Sequence, residues 1–242
     1  MRLLFCGDVM GRSGREALTQ HLPALKRDLG LDFIAANGEN AAGGYGLTTE
    51  LAKELYAAGV DVITTGNHVW DQRQAIGQIM ADPKILRPAN FPQGTPGKGA
   101  GVYPARGGKK VLVVNVMGRL FMDAIDCPFQ AVDRELKLHR LGGTVDAIFV
   151  DIHAEATSEK MSVGHFCDGR ASMVVGSHSH VPTADAQLLP GGTGYQTDAG
   201  MCGDYDSVIG MQKGPAMLRF IRKMPGEKLT TAEGPGTLCA VL

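Results

Sequence analysis

Residues 60–71 read Val60-Asp61-Val62-Ile63-Thr64-Thr65-Gly66-Asn67-His68-Val69-Trp70-Asp71. A short apolar run rich in branched side chains passes directly into a polar Gly-Asn-His turn. Such a run suits a buried strand better than a helix. The turn after it sets a carboxamide and an imidazole just beyond the strand, where loops of open α/β sheets build their sites. The same sentence of sequence is written twice upstream. A strand over 32–36 opens into Asn37-Gly38-Glu39-Asn40, and a strand over 2–6 opens into Gly7-Asp8-Val9-Met10-Gly11. Between them, Ala17, Leu18, Leu22 and Leu25 predict a helix over 15–28, with Pro23 predicting a kink or break. Thr48 or Thr49 can cap a further helix over 50–58, and a short helix follows residue 71 to about residue 80. Strand, helix, strand, helix in this order predicts a parallel α/β sheet.

The second half reads differently. Runs over 101–105 and 109–116, joined through Arg106-Gly107-Gly108, predict a hairpin. A helix over 128–141 leads to a buried strand over 146–151 that ends at His153. A strand over 172–175 runs into Gly176-Ser177-His178-Ser179-His180, and a second hairpin is expected from 186–189 with 194–197. The C-terminal third is therefore expected to be antiparallel. The economical architecture is two facing sheets between helical layers, in a single domain over 1–242, because no linker divides the chain.

Lys and Arg number 24 against 25 Asp and Glu, a net charge of −1, so the basic footprint of a duplex nucleic-acid binder is missing. Glycine is 33 of 242 residues, nearly twice the usual fraction of about 7%, so many turns must carry special backbone geometry. The five cysteines are scattered, with no C-x-x-C pair, which points to reduced thiols and a cytoplasmic setting. No stretch approaches the roughly 18 apolar residues of a membrane span.

Five strand ends thus deliver Asp8, Glu39 with Asn40, Asn67 with His68, His153, and His178 with His180. Each alone reads as a turn residue, a cap or a structural histidine. Together they read as one metal site. Oxygen donors with imidazoles suit iron, manganese or zinc rather than calcium or copper(I). Seven donors exceed what one tetrahedral ion accepts and match two ions sharing a carboxylate, for which Glu39 is the best bridge.

Gly7-Asp8, Gly38-Glu39-Asn40, Gly66-Asn67-His68, His153 and Gly176-Ser177-His178-Ser179-His180 resemble, in order, the signature blocks of the calcineurin-like metallophosphoesterases. Two positions depart from that pattern: Met10 stands where a histidine is usual, and Glu39-Asn40 where an aspartate is usual. Both departures, with the opening Gly-Asp-Val-x-Gly and the later Asp198-Ala199-Gly200-Met201-Cys202-Gly203, resemble the YmdB-type branch. The resemblance implies a four-layer α/β/β/α sandwich of two facing mixed sheets. It implies a dinuclear phosphodiesterase that hydrolyses 2′,3′-cyclic nucleotides such as 2′,3′-cAMP to nucleoside monophosphates. In that reaction a hydroxide held by the metals attacks phosphorus in line with the leaving ribose oxygen. The metals would be iron, or alternatively manganese or zinc.

Carried over residue by residue, Asp8, Glu39, Asn40 and His180 would hold one ion, with Asn40 replacing the missing histidine. Glu39, Asn67, His153 and His178 would hold the other. His68 would face the phosphate as general acid or hydrogen-bond donor, with Asp71 either holding its other nitrogen or starting the next helix. The expected partner is a small cyclic nucleotide, with no membrane and with self-association into a homo-oligomer.

Rival readings remain at the level of sequence. Gly7, Gly11 and Gly14 do not have the spacing of a dinucleotide-binding fingerprint, and residues 94–99 lack the Ser or Thr of a P-loop. The function alternatives are a metal-binding regulatory protein with little or no catalysis, and a phosphoesterase with a different diester or monoester substrate. Arg12 and Arg15 could hold a phosphate at a helix start or be surface residues. Tyr45, in the Gly43-Gly44-Tyr45-Gly46 segment, could stack on a base. His21, His139, His165 and the cysteines are read as structural.

Overall fold

The computed structural model describes residues 1–224, 226 and 228–242. Strand β1 (Leu3–Cys6) is followed after one glycine by the two-residue β2 (Asp8–Val9). Helix α1 (Gly11–Asp28) leads to β3 (Phe33–Asn37), α2 (Thr49–Ala58) to β4 (Val62–Thr64), and α3 (Ile76–Ala81) to β5 (Ile85–Leu86). β1, β3, β4 and β5 are parallel neighbours, with Leu3 opposite Phe33, Ala35 opposite Val62 and Ile63 opposite Ile85. Thr48 caps α2, its hydroxyl accepting from the Leu51 amide at 3.3 Å.

Helix α1 differs from expectation at two points. It starts at Gly11, and it passes through Pro23 without a break. Pro23 and Thr19 lie on the exposed face, so the carbonyl that loses its amide partner to the proline is left to water.

The second sheet contains β6 (Ala100–Pro104), β7 (Lys110–Met117), β8 (Ala147–His153), β9 (Met173–Ser177), β10 (Gln187–Leu188) and β11 (Gly194–Gln196), in the order β10-β11-β9-β8-β7-β6. The β6–β7 hairpin and the β10–β11 hairpin both form as expected. The antiparallel expectation for this part of the chain is overturned, because β7, β8, β9 and β11 are parallel and only the edge strands β6 and β10 oppose them. Parallel neighbours need a crossover, and two helices supply it: α4 (Pro128–Leu138) between β7 and β8, and α5 (Thr157–Cys167) between β8 and β9. Helix α5 was not expected. Its buried positions, Lys160, Val163, Gly164 and Cys167, have helical spacing, but a lysine and a glycine occupy two of the four, so no apolar stripe shows in the sequence. Helix α4 ends at Leu138 rather than at 141, and His139 is its cap.

Three more unexpected elements complete the chain. β12 (Met201–Cys202) pairs with β2, α6 (Lys213–Arg222) follows, and β13 (Ala240–Val241) adds an antiparallel edge to β1. Phe5 and Phe33 of the first sheet meet Val113, Phe149 and Val175 of the second in a dry core, with Phe5 and Phe149 ring centroids 4.8 Å apart. Leu18 and Leu22 of α1 and Leu55 of α2 cover the outer face of the first sheet. Val132 of α4 and Val163 of α5 cover that of the second. The order of layers is helix, sheet, sheet, helix, as expected. Among the described residues no helix is long and apolar enough to cross a membrane.

Candidate functional site

Facing parallel sheets bring their carboxyl ends to one edge, and the expected donors gather there. Asp8 lies just past β1, Glu39 and Asn40 past β3, and Asn67 past β4, all from the first sheet. His153 ends β8, and His178 and His180 follow β9, from the second. His153 Nε2 lies 2.9 Å from Glu39 Oε1, 2.9 Å from Asn67 Oδ1 and 3.1 Å from His178 Nδ1. Glu39, His153 and His178 form a cluster in which one atom of each could bind a single ion. On the other side of Glu39, Asp8 Oδ1 is 3.9 Å from His180 Nε2 and 3.8 Å from His153 Nδ1.

Two of these groups carry the mark of an intended cation. Asp8 Oδ1 and Asn40 Oδ1 are buried, and among the described residues neither has a hydrogen-bond partner. A buried unsatisfied acceptor costs about 1–3 kcal/mol, so such atoms call for a ligand. The second atom of each group is already used: Asp8 Oδ2 accepts from the His178 amide at 3.1 Å, and Asn40 Nδ2 donates to the Gly44 carbonyl at 2.9 Å. Oxygen acceptors and imidazole nitrogens are the donor set of iron, manganese or zinc, and the residues fit that group.

The protein also fixes which nitrogen each histidine offers. Ser177 Oγ donates to Asp151 Oδ1 at 2.7 Å, so it accepts from His153 Nδ1 at 2.9 Å and turns Nε2 toward Glu39 as the nitrogen a cation would take. His180 Nδ1 donates to the Ile209 carbonyl at 2.9 Å, leaving Nε2 toward Asp8. His178 Nε2 lies 3.2 Å from Glu155 Oε2, leaving Nδ1 toward His153. The backbone does its part, since His178 and His180 adopt left-handed φ of 95° and 63°. That turn is how two histidines separated by one residue reach opposite sides of the cluster. Such conformations are costly for side chains with a Cβ and persist where surroundings hold them. Here Asp198 Oδ2 accepts from the Ser179 amide at 3.1 Å and from Lys160 Nζ at 2.6 Å, in a fully buried ion pair under the turn.

Gly66 permits the close approach of the β4 loop, because a Cβ there would run into His153 and Glu39. Charge follows geometry. Burial pushes the Glu39 carboxyl up, but His153, through charge and a hydrogen bond, and His68 override it and hold it down at about 2. Burial lowers His153, and the carboxylates of Glu39, Asp8 and Asp151 override that and lift it to about 9. His178 is pushed down to about 3 by burial and by neighbouring His153. Asp8 is raised by burial against the pull of His180 and His153.

His68 stands beside the cluster. Its amide donates to Glu39 Oε2 at 3.1 Å, and its Nδ1 lies 2.8 Å from Asp71 Oδ2, so Asp71 orients the ring and leaves Nε2 for a ligand. Trp70 packs on Phe91 rather than on His68. A cavity of about 700 Å³ opens over the donors, walled by Tyr45, by Met10 and Met211, and by Phe220 and Lys223 at the end of α6. Tyr45 stands edge-on to His68, with centroids 5.3 Å apart. Met10, in the position where the related pattern has a histidine, is buried with Met201 and Met211.

Arg12 and Arg15, each open to a phosphate-holding or a surface reading, both have protein partners. Arg12 is exposed and pairs with Glu16, while Arg15 braces the far side of the Glu39 loop through the Ala41 carbonyl and Glu54. The glycine-rich stretch at 94–99 instead wraps Arg87, which donates to the Thr95 and Pro96 carbonyls at 3.0 Å each. Sequence reading missed Asp151, Glu155 and Lys160, and it quoted Ser177 and Asp198 in their motifs without the roles they play here. Asp151 stood two residues before His153 on one strand, hence on the same face, and that spacing was the available signal.

The chain is similar to other proteins along its whole length. The YmdB-like protein family matches residues 4–242. A 2′,3′-cyclic-nucleotide 2′-phosphodiesterase of Bacillus subtilis is 46% identical over 242 residues, covering 100% of this chain and 90% of that one. A solved structure of a hypothetical protein from Thermus thermophilus superposes with TM-score 0.93 at 45% identity, over 99% of this chain and 92% of the other. A structure described as a novel phosphatase from Mycoplasma pneumoniae superposes with TM-score 0.87 at 31% identity, over 96% and 83%. Sequence blocks, layered fold and full-length similarity agree, and the chain belongs to the YmdB-like protein family.

Proposed function

We propose that this chain hydrolyses 2′,3′-cyclic nucleotides with two metal ions at the convergent donors. Asp8, Glu39, Asn40 and His180 would hold one ion, Glu39, Asn67, His153 and His178 the other, with Glu39 shared. Hydrolysis of phosphoric esters is the activity that the similar proteins carry in their names. The observation that carries the metal reading is the pair of buried, partnerless oxygens on Asp8 and Asn40 within a ring of imidazoles whose ligating nitrogens are already fixed. Two bound cations supply Lewis acidity, activating a water and neutralising charge that gathers on the phosphoryl oxygens.

The chain's own residues do the rest. Glu39 and Asp8 bring negative charge that attracts cations, and Ser177, Ile209 and Glu155 keep the imidazoles in the ligating orientation. His68, steered by Asp71, presents Nε2 to the leaving ribose oxygen and gives it a proton. Tyr45 and Phe220 line the cavity as apolar walls for a base. Arg12 and Arg15 lie elsewhere, and the cationic side chains that line the cavity are Arg219 and Lys223 of the α6 end. The test measures metal content by elemental analysis beside turnover of 2′,3′-cAMP, before chelation, after it and after return of Mn²⁺ or Fe²⁺. Activity should vanish with the metal and return with it. Metal-free protein with undiminished turnover would overturn the reading.

A further inference from the structure

A second cavity, of about 400 Å³, opens on the other flank of the donor cluster. It adjoins the first, since His68 and His178 line both. Asn67 and Asp71 form its inner wall, and Phe121, Met122 and Asp123 its outer wall. The outer wall belongs to the loop between β7 and α4, which is tied down rather than loose. The Arg119 and Leu120 amides donate to Glu159 at 3.0–3.1 Å, and Asn90 Nδ2 donates to the carbonyls of Met117 and Asp126 at 2.7 and 2.9 Å. Met122 is tucked against the core of the second sheet, while Phe121 is turned outward at φ 64° with 83% of its surface exposed. A bulky residue in left-handed backbone and an exposed aromatic ring are both unfavourable, and packing requires neither. On the opposite flank Phe220, at the rim of the first cavity, is 71% exposed. Each of the two cavities beside the donor cluster therefore has an exposed aromatic ring in its lining.

A cyclic mononucleotide has one base and occupies one of these cavities. We propose that the site also takes linear phosphodiesters with a nucleoside on each side of the phosphorus, one seated against Tyr45 and Phe220 and the other stacked on Phe121. This deepens the proposed function and rests on it. Both cavities fall within the range of about 300–1,000 Å³ typical of small-molecule sites. Stacking on an aromatic ring accepts any base. Charge sets the length. Asp71 and Asp123 make the second cavity acidic, which suits the amino groups of bases and the hydroxyls of ribose and repels a further phosphate. The substrate class is thus a dinucleoside monophosphate rather than a long strand extending past Phe121. In the reaction, a water oxygen bonds to phosphorus, one P–O ester bond breaks, the departing alkoxide takes its proton from His68, and of the water's two protons one stays on the phosphate and the other passes through solvent to restore His68. The products are one nucleoside and one nucleoside monophosphate.

The experiment compares kcat/KM for adenylyl-(3′→5′)-adenosine with that for 2′,3′-cAMP in the metal-loaded wild type, Phe121→Ala and Phe121→Trp, with sedimentation velocity on each. We expect the wild type to cleave both, Phe121→Ala to lower the ratio of dinucleotide to cyclic substrate by about tenfold, and Phe121→Trp to keep it. Turnover of 2′,3′-cAMP with an inert dinucleotide would overturn the inference and leave the proposed function standing. An unchanged ratio in Phe121→Ala, with or without a change of oligomeric state, would also overturn it, the latter change assigning the ring to a contact between chains. Turnover of neither substrate would remove the proposed function and this inference together.

Discussion

At the scale of single residues, the site separates groups that hold charge from the one that moves a proton. Asp8, Glu39, His153 and His180 are buried, whereas His178 and His68 are part-exposed and line both cavities, and of these two only His68 lies outside the donor cluster. Asp71 at 2.8 Å takes its Nδ1, so the ring has one nitrogen to offer and a fixed direction in which to offer it. Replacing it should leave the donor cluster in place, since the hydrogen bond it makes to Glu39 comes from its backbone amide. His68→Ala is therefore expected to retain the wild-type metal content by elemental analysis and to lose about 10²–10⁴ in kcat on 2′,3′-cAMP, the usual reach of acid–base catalysis. An unaltered kcat would take His68 out of the reaction.

At the scale of elements, the His178–Ser179–His180 turn shows what holds a strained loop in place. Lys160 of α5 reaches under it to Asp198 at 2.6 Å, and the same carboxylate oxygen accepts the Ser179 amide and, at 2.7 Å, its hydroxyl. Removing one member of a fully buried ion pair leaves the other uncompensated, at about 3–5 kcal/mol. Lys160→Met should lose that much in urea denaturation of the metal-free protein and should bind Mn²⁺ more weakly; a loss below about 1 kcal/mol would show that the turn is held by something else. The same element marks the limit of what could be read from the chain. The first-half strands and helices were legible because each apolar run ends in a polar turn, and the donors past their ends, from Asp8 to His180, came together as their loop positions implied. Helix α5 was not legible, since its inward face is Lys160, Val163, Gly164 and Cys167, and without it the parallel second sheet could not be foreseen. Nor were the groups that orient the histidines: Ser177, Glu155 and the Ile209 carbonyl are distant in sequence from the rings they hold, or act through backbone, and neither leaves a periodic signal.

At the scale of the whole molecule, the two sheets are joined in the middle by a dry core centred on Phe5 and Phe149 and at the edge by the donor cluster. The first sheet supplies Asp8, Glu39, Asn40 and Asn67, and the second supplies His153, His178 and His180, so any cation bound there ties one layer to the other. In the folded chain without a cation, two buried oxygens go unsatisfied. The unfolded chain has no such site, so binding acts on the folded state alone and must raise its stability. At a free concentration a hundredfold above Kd, one site contributes about 2.7 kcal/mol. For a chain of this size each kcal/mol moves Tm by about 2–4 °C, which gives an expected rise of about 5–10 °C for each occupied site. Calorimetry of chelated protein with and without Mn²⁺ reads this directly, with Ca²⁺ as the control that the imidazole-rich donor set should not favour. Glu39→Gln should abolish most of the rise, because the neutral amide keeps the shape of the carboxylate and loses both its charge and its second acceptor oxygen. A Tm that ignores Mn²⁺ in the wild type, or a rise that survives intact in Glu39→Gln, would mean that the two sheets are not joined through this cluster.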